Sequence, residues 1–424
     1  MDRLYFLGYN VDEPLPWHST LSRTRQLYPE ALFEAVFNKV FSLCVANNMV
    51  AGRRVAIDSA PVKANASMET LLEKQPNLPG PKLVQSAEDQ NGVVTTMPKS
   101  SNRHPGSVIT ASDHQLRQLK KHQQNLKNAP ANLGASNKKA QLLSNKTHYS
   151  PTDPDARISI KPGKARKLNY NCSLAVDTAE GVISHVQADF ADGRDSQCLP
   201  DITLKLQQRL ASNELRLEEV LADTGYSNGS NYALLEQWKI TGWIPVFGHY
   251  KPQIEGFPYD PEADHFTCPE GKRLPFKTFN RNADGSLLKI YRAAYPDCKS
   301  CPLKPTCVPG GQSRQINRTA YVSFYRRALA RQHSRRGKPM KRLRQQTVEP
   351  VLGSLVEYYG MRKVNVRGKA GAHKVMLMAA VAFNLKKYMK FTSKSTISQA
   401  LALRVEWSLV FQDTFPGFGV LFLN

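Results

Sequence analysis

Two aspartates stand where short apolar runs break. Val55-Ala-Ile57 leads into Asp58, which is followed by Ser59, Ala60 and Pro61; Arg216 to Ala222 leads into Asp223, which is followed by Thr224-Gly-Tyr-Ser-Asn-Gly229. In open α/β sheets the carboxyl ends of the strands face the functional crevice. Two carboxylates there, joined by a third from a following helix, are hard oxygen ligands of the kind Mg²⁺ or Mn²⁺ takes. Two such ions about 3.5–4 Å apart activate a water or a 3′-hydroxyl and stabilise the leaving oxygen of a phosphodiester. One aspartate of this kind is more often a turn former; the repetition is what points to metal-dependent phosphodiester chemistry. Asp195, in Asp192-Gly-Arg-Asp195-Ser, reads most simply as a helix cap, and His18 as a structural residue.

Two other clusters have chemical content. Cys268, Cys298, Cys301 and Cys307 form C-x29-C-x2-C-x5-C. Four thiolates can close a tetrahedral structural Zn²⁺ site, with Cys268 returning across a hairpin near Ala283-Asp-Gly285; the alternative is unliganded buried thiols. Cys44, Cys172 and Cys198 sit in apolar runs and read as core. The second cluster is basic: Arg326, Arg327, Arg331, Arg335, Arg336, Lys338, Lys341, Arg342 and Arg344 fall within nineteen residues that contain no acid. Such a run repels itself unless a polyanion neutralises it, which fits tracking of a phosphate backbone better than a solvated helix. Glu349 lies just beyond it and Glu357 a little further; either can be the third acid.

These groups need a scaffold, and its element order is legible. A helix is expected after Pro29, with Leu32, Phe33, Val36, Phe37, Val40 and Leu43 at a 3.6-residue period. Ser19 or Thr20 can cap a shorter one before it. The strand leading to Asp58 comes next. Tyr170–Val176 and Val182–Ala188 read as a hairpin, followed by a helix from about 196 to 210, a strand ending at Asp223, a helix around 232–238 capped by Ser230, and a strand from Gly242 to Phe247. Strands mixed with helices in this order imply an α/β sheet covered by helices. The expected organisation is a helical N-terminal region (1–50), a first catalytic strand (51–67), a basic low-complexity insertion (68–167), a catalytic core (168–248), a cysteine-containing insertion (249–315), basic and apolar helices completing the core (316–390) and a tail (391–424). The opening Met-Asp-Arg-Leu-Tyr-Phe-Leu-Gly has no capping signal and reads as if it began inside a domain, so the N-terminal region is expected to be truncated.

Composition restricts the partner. Fifty-eight Lys and Arg against 35 Asp and Glu give a net charge of +23, an excess suited to nucleic acid through counterion release. The longest apolar run, Val375 to Phe383, falls well short of the ~20 residues that span a bilayer. With no basic-then-apolar leader at the start, a cytoplasmic protein with no membrane partner is expected.

Ala-Ile-Asp58-Ser-Ala-Pro-Val-Lys-Ala-Asn, Leu-Ala-Asp223-Thr-Gly-Tyr and Thr-Val-Glu349-Pro-Val-Leu-Gly-Ser-Leu together resemble the three acidic motifs of bacterial insertion-sequence transposases of the DDE class. The resemblance extends over nearly the whole chain, including Pro14-Leu-Pro-Trp-His-Ser-Thr-Leu-Ser and the cysteine segment. It implies a ribonuclease H-like catalytic domain with a small zinc-ribbon-like insertion, and Asp58, Asp223 and Glu349 as the Mg²⁺- or Mn²⁺-binding triad. It also implies DNA as partner, as terminal inverted repeats and as target, with strand cleavage and strand transfer carried out by a homodimer in the synaptic complex. The alternative it leaves is a decayed or repurposed transposase that only binds DNA. At position 356, where the resemblance implies lysine, this chain has valine.

Overall fold

A computed structural model describes residues 25–76, 110–111, 117, 143–159, 165–247, 253–282 and 285–414, with side chains to residue 393. The caps expected at Ser19 or Thr20 lie outside these residues. Helix α1 (Glu30–Ala46) follows Pro29 as expected. Its buried stripe is Phe33, Phe37, Val40, Phe41 and Cys44, while Leu32, Val36 and Leu43 face outward.

The central sheet begins with β1 (Arg54–Lys63), whose Val55, Ala56 and Ile57 are fully buried. It continues with β2 (Arg157–Ser159), β3 (Lys167–Asp177), β4 (Ile183–Phe190), β5 (Glu219–Leu221) and β6 (Thr241–Trp243). Helix α2 (Asp195–Ala211) lies between β4 and β5, and α3 (Gly229–Gln237) between β5 and β6. The order across the sheet is β4-β3-β1-β5-β6, with β2 extending the β4 edge of β3. β3 is antiparallel to both β1 and β4, whereas β1, β5 and β6 run parallel. The chain thus enters the middle of the sheet, turns back through a hairpin, and crosses by helices to the other side. This is a mixed α/β fold with the element order expected from sequence. The β3–β4 hairpin turns at Asp177–Val182, as the spacing implied. Asn228, and not Ser230, caps α3, accepting the Ser230 amide at 3.1 Å.

The stretch expected to be a low-complexity insertion is packed at both ends. Residues 143–159 contribute Ala156 and Ile158 to the core, and Asp153 and Asp155 are buried. Asp153 accepts the Tyr170 hydroxyl and the Gly368 amide, and Asp155 accepts the Lys369 amide, so both carboxylates seat the start of a C-terminal helix, where the N-terminal end of its dipole favours negative charge.

Residues 259–319 form a second sheet. β7 (Tyr259–Asp260), β8 (His265–Thr267), β9 (Arg273–Arg281), β10 (Leu287–Arg292) and β11 (Gln315–Thr319) pair antiparallel in chain order, with short helices α4 (Tyr295–Lys299) and α5 (Lys304–Cys307) before the last strand. Phe257, Phe266, Leu274, Tyr291, Ala293 and Ile316 make its own core. The basic run then forms α6 (Val322–His333) and α7 (Gly337–Tyr358). α7 passes through Pro350 without a break. The last helix, α8 (Lys369–Thr414), packs on α1 and β4 and continues far beyond the expected Ala370–Met389. Among the described residues no helix is long and apolar enough to cross a membrane.

Asp264 anchors the small sheet. It accepts the Tyr259 and Tyr291 hydroxyls, each at 2.6 Å, and Lys289 Nζ at 3.1 Å. Partial burial pushes its carboxyl up, but these three bonds outweigh burial and hold it at about 2, below the ordinary 3.8. A depressed carboxylate stabilises the fold above its unfolded pKa and loses that contribution as pH falls through the folded one. Asp264→Asn is therefore expected to weaken the small module at neutral pH. The gap between wild type and variant should close between pH 3.8 and about 2, as followed by tyrosine fluorescence during acid titration.

Candidate functional site

The parallel pairing of β1 with β5 lasts three residues: Arg54 opposite Glu219, Val55 opposite Val220 and Ala56 opposite Leu221. Asp58 and Asp223 each come two residues after the last pair, so both acids emerge at the carboxyl end of the parallel strands. Asp58 does not end its strand, contrary to the sequence expectation. β1 runs on to Lys63 because β3 remains its partner, with Ser59 through Lys63 opposite Ser173 through Asn169. Only the β5 side is uncovered. Lys63 sends its amide that way, to the Arg362 carbonyl, and alternate residues share a direction. Pro61 therefore faces the open side and removes no ladder bond to β3. Ser59, two residues before Pro61, has its amide satisfied by Asp58 Oδ1 at 2.8 Å.

The second oxygen of Asp58 accepts Arg344 Nη1 at 2.8 Å, and Arg344 Nη2 donates to Glu349 Oε1 at 2.9 Å. One guanidinium on α7 thus spans the first acid and the proposed third. Arg344 is 8% exposed. Val348, Val351 and Leu355 bury the face of α7 that packs on the sheet. Burial drives the Asp58 carboxyl above its ordinary value and the Asp223 charge adds to this, while the Ser59 amide and Arg344 oppose it. Glu357, the rival for the third acid, pairs instead with Arg362 at the surface. Val356 packs against the main core.

Asp195 joins this group, although its sequence context read most simply as a helix cap. Its Oδ1 accepts the Ser59 hydroxyl at 2.7 Å. Asp223 Oδ1 accepts the Gly225 amide at 2.9 Å. A Cβ at Gly225 would stand 3.0 Å from Asp223 Oδ1 and 3.2 Å from Asp195 Oδ2, so both carboxylates crowd the same glycine. The fully buried Tyr226 lies below them; burial, with the charges of Asp195 and Asp58 behind it, raises its phenol well above the usual range. Asp195 begins α2, and the N-cap position belongs to Arg194.

The nine cations of the basic run separate by position. Arg327 and Arg331 bind Glu236 on α3 at 2.6 and 3.3 Å. Arg336 binds Glu219 at 2.9 Å and lies over the Trp243 ring. Arg344 is inside the acidic site. Arg326, Arg335, Lys338, Lys341 and Arg342 are exposed and have no acidic partner among the described residues. Lys338 and Lys341 also line a cavity of about 250 Å³ that reaches Ala222, the residue before Asp223.

The cysteines expected at a zinc centre lie in the small module. Cys268, Cys298 and Cys307 pack as partly buried apolar groups against the small module's core, and Cys301 is likewise a free, partly buried thiol. Among the described residues, no set of three or more His, Cys, Asp or Glu side chains is close enough to hold a metal. The acids at β1 and β5 nonetheless have the donor chemistry of a hard-cation site, with Glu349 turned to Arg344.

Residues 267–389 match the family model of the transposase DDE domain, which supports a DDE transposase. The match contains the cysteines, the basic run, Arg344 and Glu349, and begins after Asp58 and Asp223. No curated protein matches the chain.

The crowding at Gly225 gives a direct test of the site. Gly225→Ala is expected to displace Asp223 or Asp195 and weaken divalent-cation binding by roughly tenfold, with the melting temperature of the cation-free protein unchanged. Isothermal titration with Mn²⁺ measures the first and circular dichroism the second.

Proposed function

We propose that the chain is a transposase that cleaves DNA at the ends of an insertion sequence and joins the freed ends to target DNA, using Asp58, Asp223 and Glu349 as its acidic triad. The observation that carries this reading is the emergence of Asp58 and Asp223 at the carboxyl end of the parallel β1–β5 pair, with Glu349 tethered to Asp58 through Arg344. The sheet order supports a ribonuclease H-like core: a long central strand, an antiparallel hairpin on one side, and two parallel strands on the other.

Carboxylate oxygens fit Mg²⁺ or Mn²⁺, and Asp58, Asp223 and Glu349 are the residues that would hold it. When bound, such an ion polarises the phosphodiester and activates the attacking oxygen. The chain's own contribution is position and charge. Ser59 holds Asp195, the Gly225 amide orients Asp223, and the Ser59 amide orients Asp58. The five exposed cations on α6, α7 and the turn between them supply the charge that draws the phosphate backbone toward the acids. Engaging two transposon ends at once calls for two catalytic chains, so the active species is a homodimer.

A second reading, a DNA-binding protein descended from a transposase, is favoured by one observation. Val356 fills with apolar packing the position where the resemblance implies lysine. Supercoiled plasmid carrying the element ends, incubated with Mg²⁺ or Mn²⁺, separates the two. Cleavage and strand transfer by the wild type are expected. In Asp58→Asn and in Asp223→Asn, cleavage should fall by roughly 10³-fold or more while gel-shift affinity for the ends is retained. Full activity in either variant would refute the assignment of that acid.

A further inference from the structure

We propose that Arg344 is the internal counter-cation of the acidic site: a positioning residue that holds Asp58 and Glu349 until a divalent cation claims their oxygens, and so sets the affinity of the site for that cation. The proposal rests on the reading of these acids as cation ligands. It gives Arg344 a role at the acids in addition to the phosphate contact its place in a basic run implied.

Both oxygens of Asp58 are already engaged. Oδ1 is taken by the Ser59 amide and Oδ2 by Arg344 Nη1. Glu349, on the same helix as Arg344, turns Oε1 to Nη2 of the same guanidinium. The fork of an arginine suits such a bridge, because its parallel N–H groups are fixed in one plane and its charge is permanent. A divalent cation at Asp58 Oδ2 would meet a positive group already within hydrogen-bond distance of that oxygen. Like charges this close and this buried repel strongly, so the guanidinium must leave as the cation enters.

A departing guanidinium needs a new anion, since a buried unpaired charge is strongly destabilising. The two carboxylates are its only ion-pair partners among the described residues. Lys341 and Arg342 stand exposed a turn or less away on the same helix, so a phosphate of the substrate is the anion within reach, and it matches the fork bidentately. Cation entry and phosphate-backbone binding are then linked. Each lowers the cost of the other, and the coupling is reciprocal.

The test uses the full chain and Mn²⁺ alone, with free Mn²⁺ followed by electron paramagnetic resonance. Wild type should bind Mn²⁺ weakly without DNA and more tightly with duplex present. Arg344→Met should bind it about tenfold or more tighter without DNA and gain little on adding duplex. A purely structural role predicts unchanged or weaker binding, and that result in folded Arg344→Met overturns the proposal. If Arg344→Met does not fold, Arg344→Lys decides. It keeps the charge but loses the two-pronged bridge, so tighter Mn²⁺ binding supports the proposal and wild-type binding overturns it. Asp223→Asn separates the two levels of inference. If it binds Mn²⁺ as wild type does, the acids are not the cation site and that underlying reading fails. If it loses Mn²⁺ while the arginine variants do not tighten, only the role of Arg344 fails.

Discussion

The ion pair between Arg344 and Asp58 joins parts of the chain 286 residues apart. Around it the second half of the fold is fitted to the first. Burying a guanidinium and a carboxylate together is tolerable only if each keeps its partner. The helix carrying Arg344 must therefore lie across the open edge of β1, and β1 must present Asp58 to that edge. Both conditions are met by the short parallel pairing with β5. It covers β1 as far as Ala56 and then stops, leaving a gap beside β1 where Arg344 reaches Asp58.

The same gap explains the crowding of acids. Asp223 leaves β5 where the pairing ends, and α2 begins with Asp195 close enough to share Ser59 and Gly225 with the other two. Burial and then the Asp223 charge push the Asp58 carboxyl up, and the Ser59 amide and Arg344 offset only part of this. An unbalanced cluster of this kind is poorly suited to a purely structural role and well suited to binding a cation.

Charge elsewhere is divided according to what it faces. Arg327, Arg331 and Arg336 fasten α6 and the start of α7 to Glu236 and Glu219. Arg326, Arg335, Lys338, Lys341 and Arg342 are left to solvent or to a polyanion. A basic run of nine is thus three structural cations, one internal counter-ion and five surface charges. The residues are similar; what differs is whether an acid from another element reaches them.

Local pattern was enough to read the order of strands and helices, the hairpin between β3 and β4, and the placing of Asp58 and Asp223 at breaks after apolar runs. These features depend on periodicity and turn chemistry within a dozen residues. Local pattern misjudged the end of β1, because Asp58-Ser-Ala-Pro looks like a terminus when its partner strand, more than a hundred residues away, is unknown. It likewise gave Asp195 to a helix cap, and it could not show the Asp58 partner of Arg344 or the packing of the cysteines. Each of those assignments turns on a neighbour distant in sequence: Ser59 for Asp195, Asp58 for Arg344, and the aromatic core of the small sheet for the cysteines. The sequence by itself determined which residues have the chemistry and near which breaks they fall. Only the tertiary structure decided which of them meet, because pairing across hundreds of residues leaves no periodic trace in the chain.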